Sequence, residues 1–84
     1  MSYFVYILEC SDSSLYTGIA KDVTKRLDEH NHSKKGAKYT KSRRPLKLVH
    51  VEPHSDRGSA LQREFAIKKL TRLQKLKLIS LDKS

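Results

Sequence analysis

An α+β fold is the architecture this sequence predicts: a three-stranded antiparallel sheet flanked by helices, in the order ββαβαα. Three observations carry it. Two short runs rich in aromatic and β-branched residues, Tyr3 to Glu9 and Leu15 to Ile19, are separated only by turn-forming Ser and Asp. A third such run, Leu46 to Val51, is followed by Pro53. The remaining apolar residues recur at helical spacing behind capping side chains. At 84 residues, a single domain spanning 1–84 is expected. A domain of that size removes roughly 60% of its unfolded surface from water, so its core is modest. A shallow groove for a polymer suits it better than a deep pocket for a metabolite.

Each element has a local reason. Tyr3 to Glu9 reads as a strand, Ser11-Asp12-Ser13-Ser14 as a turn, and Leu15 to Ile19 as the returning strand of an antiparallel hairpin. Asp22 can cap a helix running to about His30, with Val23, Leu27 and His30 on one face and Lys25 and Asp28 pointing away. Asn31 to Arg44 is polar and basic and reads as a loop with room for one helical turn, ended by Pro45. Leu46 to Val51 forms the third strand and Pro53 closes it. A further helix starts between Asp56 and Ser59 and runs to about Leu70. Thr71, with Gln74 three residues on, is a capping-box pattern and starts a last helix carrying Leu73, Leu76 and Ile79.

The formal net charge is +9, from 18 Lys and Arg against 9 Asp and Glu, which favours polyanionic partners. The excess is concentrated. No acid occurs from His30 to Val51, a stretch that holds Lys34, Lys35, Lys38, Lys41, Arg43, Arg44 and Lys47. Such a run is either a solvated loop or a phosphate-tracking surface, and its density favours the latter. The single cysteine, Cys10, can build neither a disulfide framework nor a zinc cluster and reads as a small core residue. The apolar stretch from Tyr3 to Leu8 is too short for a signal peptide and lacks a basic lead. No stretch reaches transmembrane length and no helix has a membrane-surface pattern, so a cytoplasmic protein is expected.

Candidate chemistry rests on few side chains. Tyr6 and Tyr16 lie on the two strands of the hairpin, which can bring their phenols together; tyrosines also simply fill small cores. Arg26 sits about 60° around the helix from Val23, at the edge of the buried face, where it could aim across the sheet or merely cover apolar surface. His30, on the apolar stripe, is open to a packing role or a chemical one. Glu64 falls inside the arc spanned by Ala60, Leu61, Phe65 and Ile67. A carboxylate there needs a partner, either a divalent metal or Lys68 at i+4. The histidines at 30, 32, 50 and 54 lack zinc-site spacing.

Taken in order, these residues resemble the GIY-YIG nuclease family, small stand-alone bacterial members in particular. Phe4-Val5-Tyr6 is similar to the family's first element and Tyr16-Thr17-Gly18 to its second. Gly18 to Leu27 resembles the helix that carries the family's arginine, here Arg26, with His30 one turn later. Ala60-Leu61, Glu64 and Ile67-Lys68 resemble the segment with the metal-binding glutamate. The likeness spans nearly the whole chain. Two features depart from it: Phe4 replaces the first glycine of the family name, and the asparagine that many members carry after the glutamate is missing, Asn31 being the only one here.

The resemblance implies metal-assisted phosphodiester hydrolysis of DNA. Glu64 would bind Mg²⁺ or Mn²⁺, Arg26 would stabilise transition-state charge, and Tyr6 would take the proton of the attacking water. Tyr16 would position water or phosphate, with His30 as a helper. A tyrosine with a pKa near ~10 is a poor base, so Tyr6 is expected to be depressed by Lys21, Arg26 and the metal. Lys21 and the basic run at 34–47 would hold the nucleic acid. RNA or branched DNA as substrate, and repair, recombination or restriction as the pathway, stay open; a monomer is favoured. The competing reading is a non-catalytic nucleic-acid-binding module that keeps the fold.

Overall fold

The structure, a computed structural model, describes residues 2–82. Its elements follow the chain as β1 (Tyr3–Glu9), β2 (Leu15–Ala20), α1 (Val23–His32), α2 (Lys38–Lys41), β3 (Lys47–His54), α3 (Arg57–Lys68) and α4 (Arg72–Asp82). The strands form one antiparallel sheet in the order β2-β1-β3, with β1 central. The expected ββαβαα order holds, with the short α2 as the extra turn inside the basic segment.

Local chemistry sets the element boundaries. At the hairpin, Asp12 Oδ1 accepts from the Ser14 amide at 3.0 Å, and Ser13 takes a φ of 69°. Asp22 caps α1 by accepting from the Lys25 amide at 3.0 Å, and Asp56 caps α3 through the Ser59 amide at 2.8 Å. The capping box before α4 is reciprocal: Thr71 Oγ1 accepts from the Gln74 amide at 3.2 Å, and Gln74 Oε1 accepts from the Thr71 amide at 3.0 Å.

Strand alternation divides the core into two layers. Val5 and Ile7 point to one face and pack with Ala60 and Ile67 of α3 and Ile79 of α4. Tyr6, Leu8 and Cys10 cluster with Leu46 on the other, against Tyr16, Ala20, Val23 and Leu27, so α1 covers the face that carries the tyrosines. Cys10 is buried, as expected of a small core residue.

Three expectations need correction. β3 does not stop before Pro53 but runs through it to His54, with Pro53 opposite Phe4. As an edge strand it tolerates a residue that cannot donate outward. α3 ends at Lys68 rather than Leu70. Phe65 is not on the buried arc: it is 62% exposed, with the Lys69 ammonium 4.2 Å from its ring centroid. Only a narrow stripe of α3, centred on Ala60 and Ile67, meets the sheet.

Candidate active site

The site begins with the pairing register of the hairpin. Tyr6 lies opposite Gly18, and Tyr16 opposite Leu8, two positions along the ladder, so both phenols project from the same face. Their ring centroids are 6.5 Å apart. Gly18 lies beneath them. A Cβ there would fall 2.6 Å from Tyr6 Oη, 2.8 Å from Tyr6 Cζ and 3.2 Å from Tyr16 Cε2. Glycine is therefore required for the Tyr6 phenol to lie across β2.

From the covering helix, His30 reaches the same point. It is fully buried, and its Nε2 lies 2.9 Å from Tyr6 Oη. Its Nδ1 lies 2.9 Å from Oγ1 of Thr40, itself fully buried on α2. The Thr40 hydroxyl donates to the Ala37 carbonyl at 2.9 Å, which uses its single hydrogen. With the hydroxyl hydrogen so placed, His30 Nδ1–H donates to Thr40 and Nε2 accepts the Tyr6 phenol proton. The Ala37 amide also points at this Nδ1, at 3.5 Å, a longer contact that draws on the other tautomer.

Electrostatics agree with a neutral imidazole. Burial, with Arg26 and Arg44 adding to it and Glu29 opposing, lowers His30 to about 4. Burial also pushes the Tyr6 phenol up to about 12, helped by Tyr16 and by the charge of Glu64 and opposed by Arg26. The expectation of a depressed Tyr6 is thus overturned: desolvation outweighs the neighbouring cation. Lys21 is engaged elsewhere. Its ammonium sits 5.4 Å from the Tyr3 ring centroid and borders a separate hollow of about 420 Å³ with Phe4, Leu48 and Val51.

Arg26 is half-buried at the rim of the tyrosine cluster. Its Nη1 donates to Glu29 Oε1 at 3.1 Å and to the Lys35 carbonyl at 2.8 Å. Burial works against its charge, but Glu29 and the Tyr6 phenol outweigh that.

Glu64 lies on the sheet-facing side of α3, between Ala60 and Ile67, with its side chain 19% exposed and its carboxylate 3.4 Å from Lys68 Nζ. Of the two partners open to it, the i,i+4 pair with Lys68 forms, and the charge of the carboxylate also reaches Tyr6. An open groove of about 260 Å³ runs along the free edge of β2 and takes in Tyr16, but not Tyr6, Arg26, His30 or Glu64. It is lined by Leu15, Tyr16, Thr17, Tyr39, Lys68 and Lys75. Among the described residues no group of three or more His, Cys, Asp or Glu gathers to hold a metal. A single carboxylate leaves most of an ion's coordination to water and phosphate, a donor set that suits Mg²⁺.

The basic segment is strapped to α1 rather than loose. Arg44 Nε donates to the His30 carbonyl at 2.6 Å and its Nη2 to the Ser33 carbonyl at 2.7 Å, satisfying the C-terminal end of α1. Asn31 brackets Leu46, accepting from its amide at 2.7 Å and donating to its carbonyl at 3.1 Å. Gly36 lets the backbone press onto α1, where a Cβ would meet the Glu29 carbonyl oxygen at 2.8 Å. Arg43 pairs with Asp12 at 3.1 Å and lies over the Tyr39 ring at 3.9 Å. The guanidinium groups of Arg43 and Arg44 are thus engaged within the fold, whereas Lys34, Lys35, Lys38, Lys41 and Lys47 are exposed. Sequence reasoning missed Thr40, Tyr39 and Lys75. Tyr39 stacks on Tyr16 at 6.0 Å, and only its place amid the basic run hinted at a role.

The family model of the GIY-YIG catalytic domain matches residues 2–77. The chain belongs to the GIY-YIG family. Among its relatives, a UPF0213 protein from Syntrophus aciditrophicus is 59% identical over 76 residues, which cover 90% of this chain and 87% of that protein. One from Staphylococcus epidermidis is 57% identical over 77 residues, covering 92% and 93%. Two solution NMR structures share the fold. A UPF0213 protein from Bacillus halodurans is 44% identical with a TM-score of 0.62, and a protein from E. faecalis is 41% identical with a TM-score of 0.67. Each comparison covers 96% of this chain and 85% of the other. Membership in this GIY-YIG group implies a nuclease-like activity on nucleic acid. Among the described residues no helix is long and apolar enough to cross a membrane.

Proposed function

We propose that this GIY-YIG protein is a metal-dependent DNA endonuclease whose reacting centre lies where Tyr6, Tyr16, Arg26 and His30 converge beside Glu64. The observation that carries this reading is the hydrogen-bonded chain from Tyr6 through His30 to Thr40. A phenol held at about 12 is a poor base alone. Joined to a bare imidazole nitrogen, it can take a proton from water while its own proton passes to His30 Nε2. Tyr6 acts as base in this reading only as its proton reaches His30, whose burial-lowered basicity the negative charge developing on phosphate must offset. Arg26 is the cation at the rim, suited to meet the charge that builds on phosphate. Tyr16 orients the phosphate or the water. Glu64 would hold the Mg²⁺ or Mn²⁺, which supplies Lewis-acid polarisation of the phosphate and steadies the leaving oxygen.

Lys34, Lys35, Lys38, Lys41 and Lys47 bind phosphates in this reading, joined by Lys68 and Lys75 along the groove. Arg43 and Arg44 hold the basic segment in place instead, and Lys21 serves at the other end of the sheet. Cleavage of labelled single-stranded, duplex and branched DNA, with Mg²⁺, with Mn²⁺ and with EDTA, tests the proposal. Metal-dependent cutting of at least one substrate is expected. Binding without cutting in every metal condition would favour the competing module that keeps the fold and has lost the chemistry.

A further inference from the structure

Tyr39 is 42% exposed, yet its ring is held in place. It forms an offset stack on Tyr16, with centroids 6.0 Å apart and planes 26° apart, and the Arg43 guanidinium lies 3.9 Å from its centroid. Arg43 is itself anchored, donating to Asp12 at 3.1 Å and to the Tyr39 carbonyl at 2.8 Å. Tyr16 and Tyr39 line the groove along the free edge of β2 and Arg43 does not, so the part of the Tyr39 ring that the guanidinium leaves uncovered faces the groove. The groove has a second kind of wall. Lys68 of α3 and Lys75 of α4 line it from the helices that cover the other face of the sheet. Lys68 Nζ is 3.4 Å from the Glu64 carboxylate, and the Tyr16 ring centroid is 5.1 Å from that of His30, so both walls lead to the reacting centre.

We propose that this groove is a nucleotide subsite: an unpaired DNA base lies against Tyr39, and the phosphates flanking it meet Lys68 and Lys75. The inference rests on the proposed function in taking DNA as the ligand, and it names the form of DNA taken, a strand with unstacked bases. An aromatic wall facing a cationic one matches a nucleotide, which is flat and apolar at its base and anionic at its phosphates. At about 260 Å³ the groove falls below the ~300–1,000 Å³ of pockets that enclose a whole small ligand, and its open side suits one unit of a polymer. In a duplex the faces of each base are covered by its neighbours, so only a single-stranded or splayed nucleotide can use the ring. Stacking of this kind tolerates any base, since every base has a π-face. A ring already fixed by Arg43 and Tyr16 loses little freedom on binding.

The test measures binding by the full chain in EDTA, which stops metal-dependent cutting. Fluorescence anisotropy reads a labelled oligo(dT) single strand and a mixed-sequence duplex of equal length. Tyr39→Ala and Tyr39→Leu should each weaken single-strand binding about 5-fold or more, the loss of one base stack, with an unchanged salt slope and wild-type affinity for the duplex. Tyr39→Phe, which keeps the ring, should bind as wild type. Lys75→Ala should lower the single-strand salt slope by about 0.7. Wild-type single-strand affinity in both ringless variants would overturn the subsite. Equal losses on single strand and duplex would mark Tyr39 as structural and overturn it too, and an unchanged slope in Lys75→Ala would remove its cationic wall. Mg²⁺-dependent cleavage by wild type separates this inference from the nuclease reading. Cutting by wild type, with single-strand binding indifferent to Tyr39, overturns the subsite alone. A selective single-strand loss without any cutting upholds the subsite and overturns the endonuclease.

Discussion

Replacing Gly18 with alanine tests how the hairpin register builds the site. The new Cβ would stand 2.6 Å from Tyr6 Oη, against an ordinary contact of 3.4 Å or more, so the phenol must retreat by at least 0.8 Å (3.4 − 2.6). His30 is fully buried, and retreat directly away from it would stretch its 2.9 Å bond to Tyr6 towards 3.7 Å (2.9 + 0.8), beyond hydrogen-bond range. Overpacking costs about 1–3 kcal/mol. Leaving His30 Nε2 unsatisfied adds about 1–3 kcal/mol. Gly18 has no positive φ, so alanine recovers about 0.4–1 kcal/mol through the unfolded chain. A net loss of about 1–5 kcal/mol is expected in urea unfolding followed by circular dichroism. Tyr6→Phe alone should cost about 1–3 kcal/mol, but little in the Gly18→Ala background, where the bond is already broken. Strict additivity, or Gly18→Ala as stable as wild type, would refute the argument.

Other consequences follow from the charged groups. Because His30 is held at about 4 in the fold, the unfolded chain takes that proton first as pH falls. Stability should therefore decline from pH ~6.5 down to about 4 and level off below, a slope that His30→Gln should lack in pH-resolved denaturation. Glu52 accepts from Arg63 at 2.8 and 3.3 Å and contacts His50 and His54. These partners outweigh its burial and lower it to about 2. Its contribution is present above the ordinary carboxylate range, near ~4.3, and is lost as pH falls towards about 2. Glu52→Gln should cost about 1–3 kcal/mol at neutral pH and flatten that acid limb. Arg44→Ala should lower stability by about 1–2 kcal/mol through the freed carbonyls at the end of α1. Alanine at Lys34, Lys35, Lys38 and Lys41 should leave stability unchanged but reduce the salt slope of DNA binding by roughly 0.7–0.9 for each phosphate no longer neutralised. An unchanged slope would remove these lysines from the interface.

What the sequence made legible was local. Asp22, Asp56 and the Thr71–Gln74 box announce helix starts because a cap and its amide lie three residues apart. The hairpin brings Tyr6 and Tyr16 together for the same reason: its turn is short and its alternation regular. Pairings across longer separations were hidden. Thr40 reads as one polar residue in a basic run until α2 sets it 2.9 Å from His30, ten residues away. Arg43 and Arg44 looked like phosphate ligands because charge is visible in a sequence and its partners are not. Gly18 could be named as a motif residue, but its necessity lies in a phenol twelve positions earlier (18 − 6). Phe65 failed because helical periodicity gives a face without its width. The direction of the Tyr6 shift was missed because burial depends on the packed whole, whereas Arg26 was already in view.

The central claim, a metal-dependent cut made beside Glu64, is tested most directly by comparing wild type with Glu64→Ala and Glu64→Asp. Mg²⁺-dependent cleavage, DNA binding and melting temperature are read on the same samples. Glu64→Ala should lose cleavage while binding DNA and melting near wild type, since the Lys68 pair is partly solvent-exposed and contributes little. Glu64→Asp should also cut poorly, because a carboxylate drawn back by one methylene misplaces the ion, yet fold normally. Full cleavage by Glu64→Ala would contradict the account.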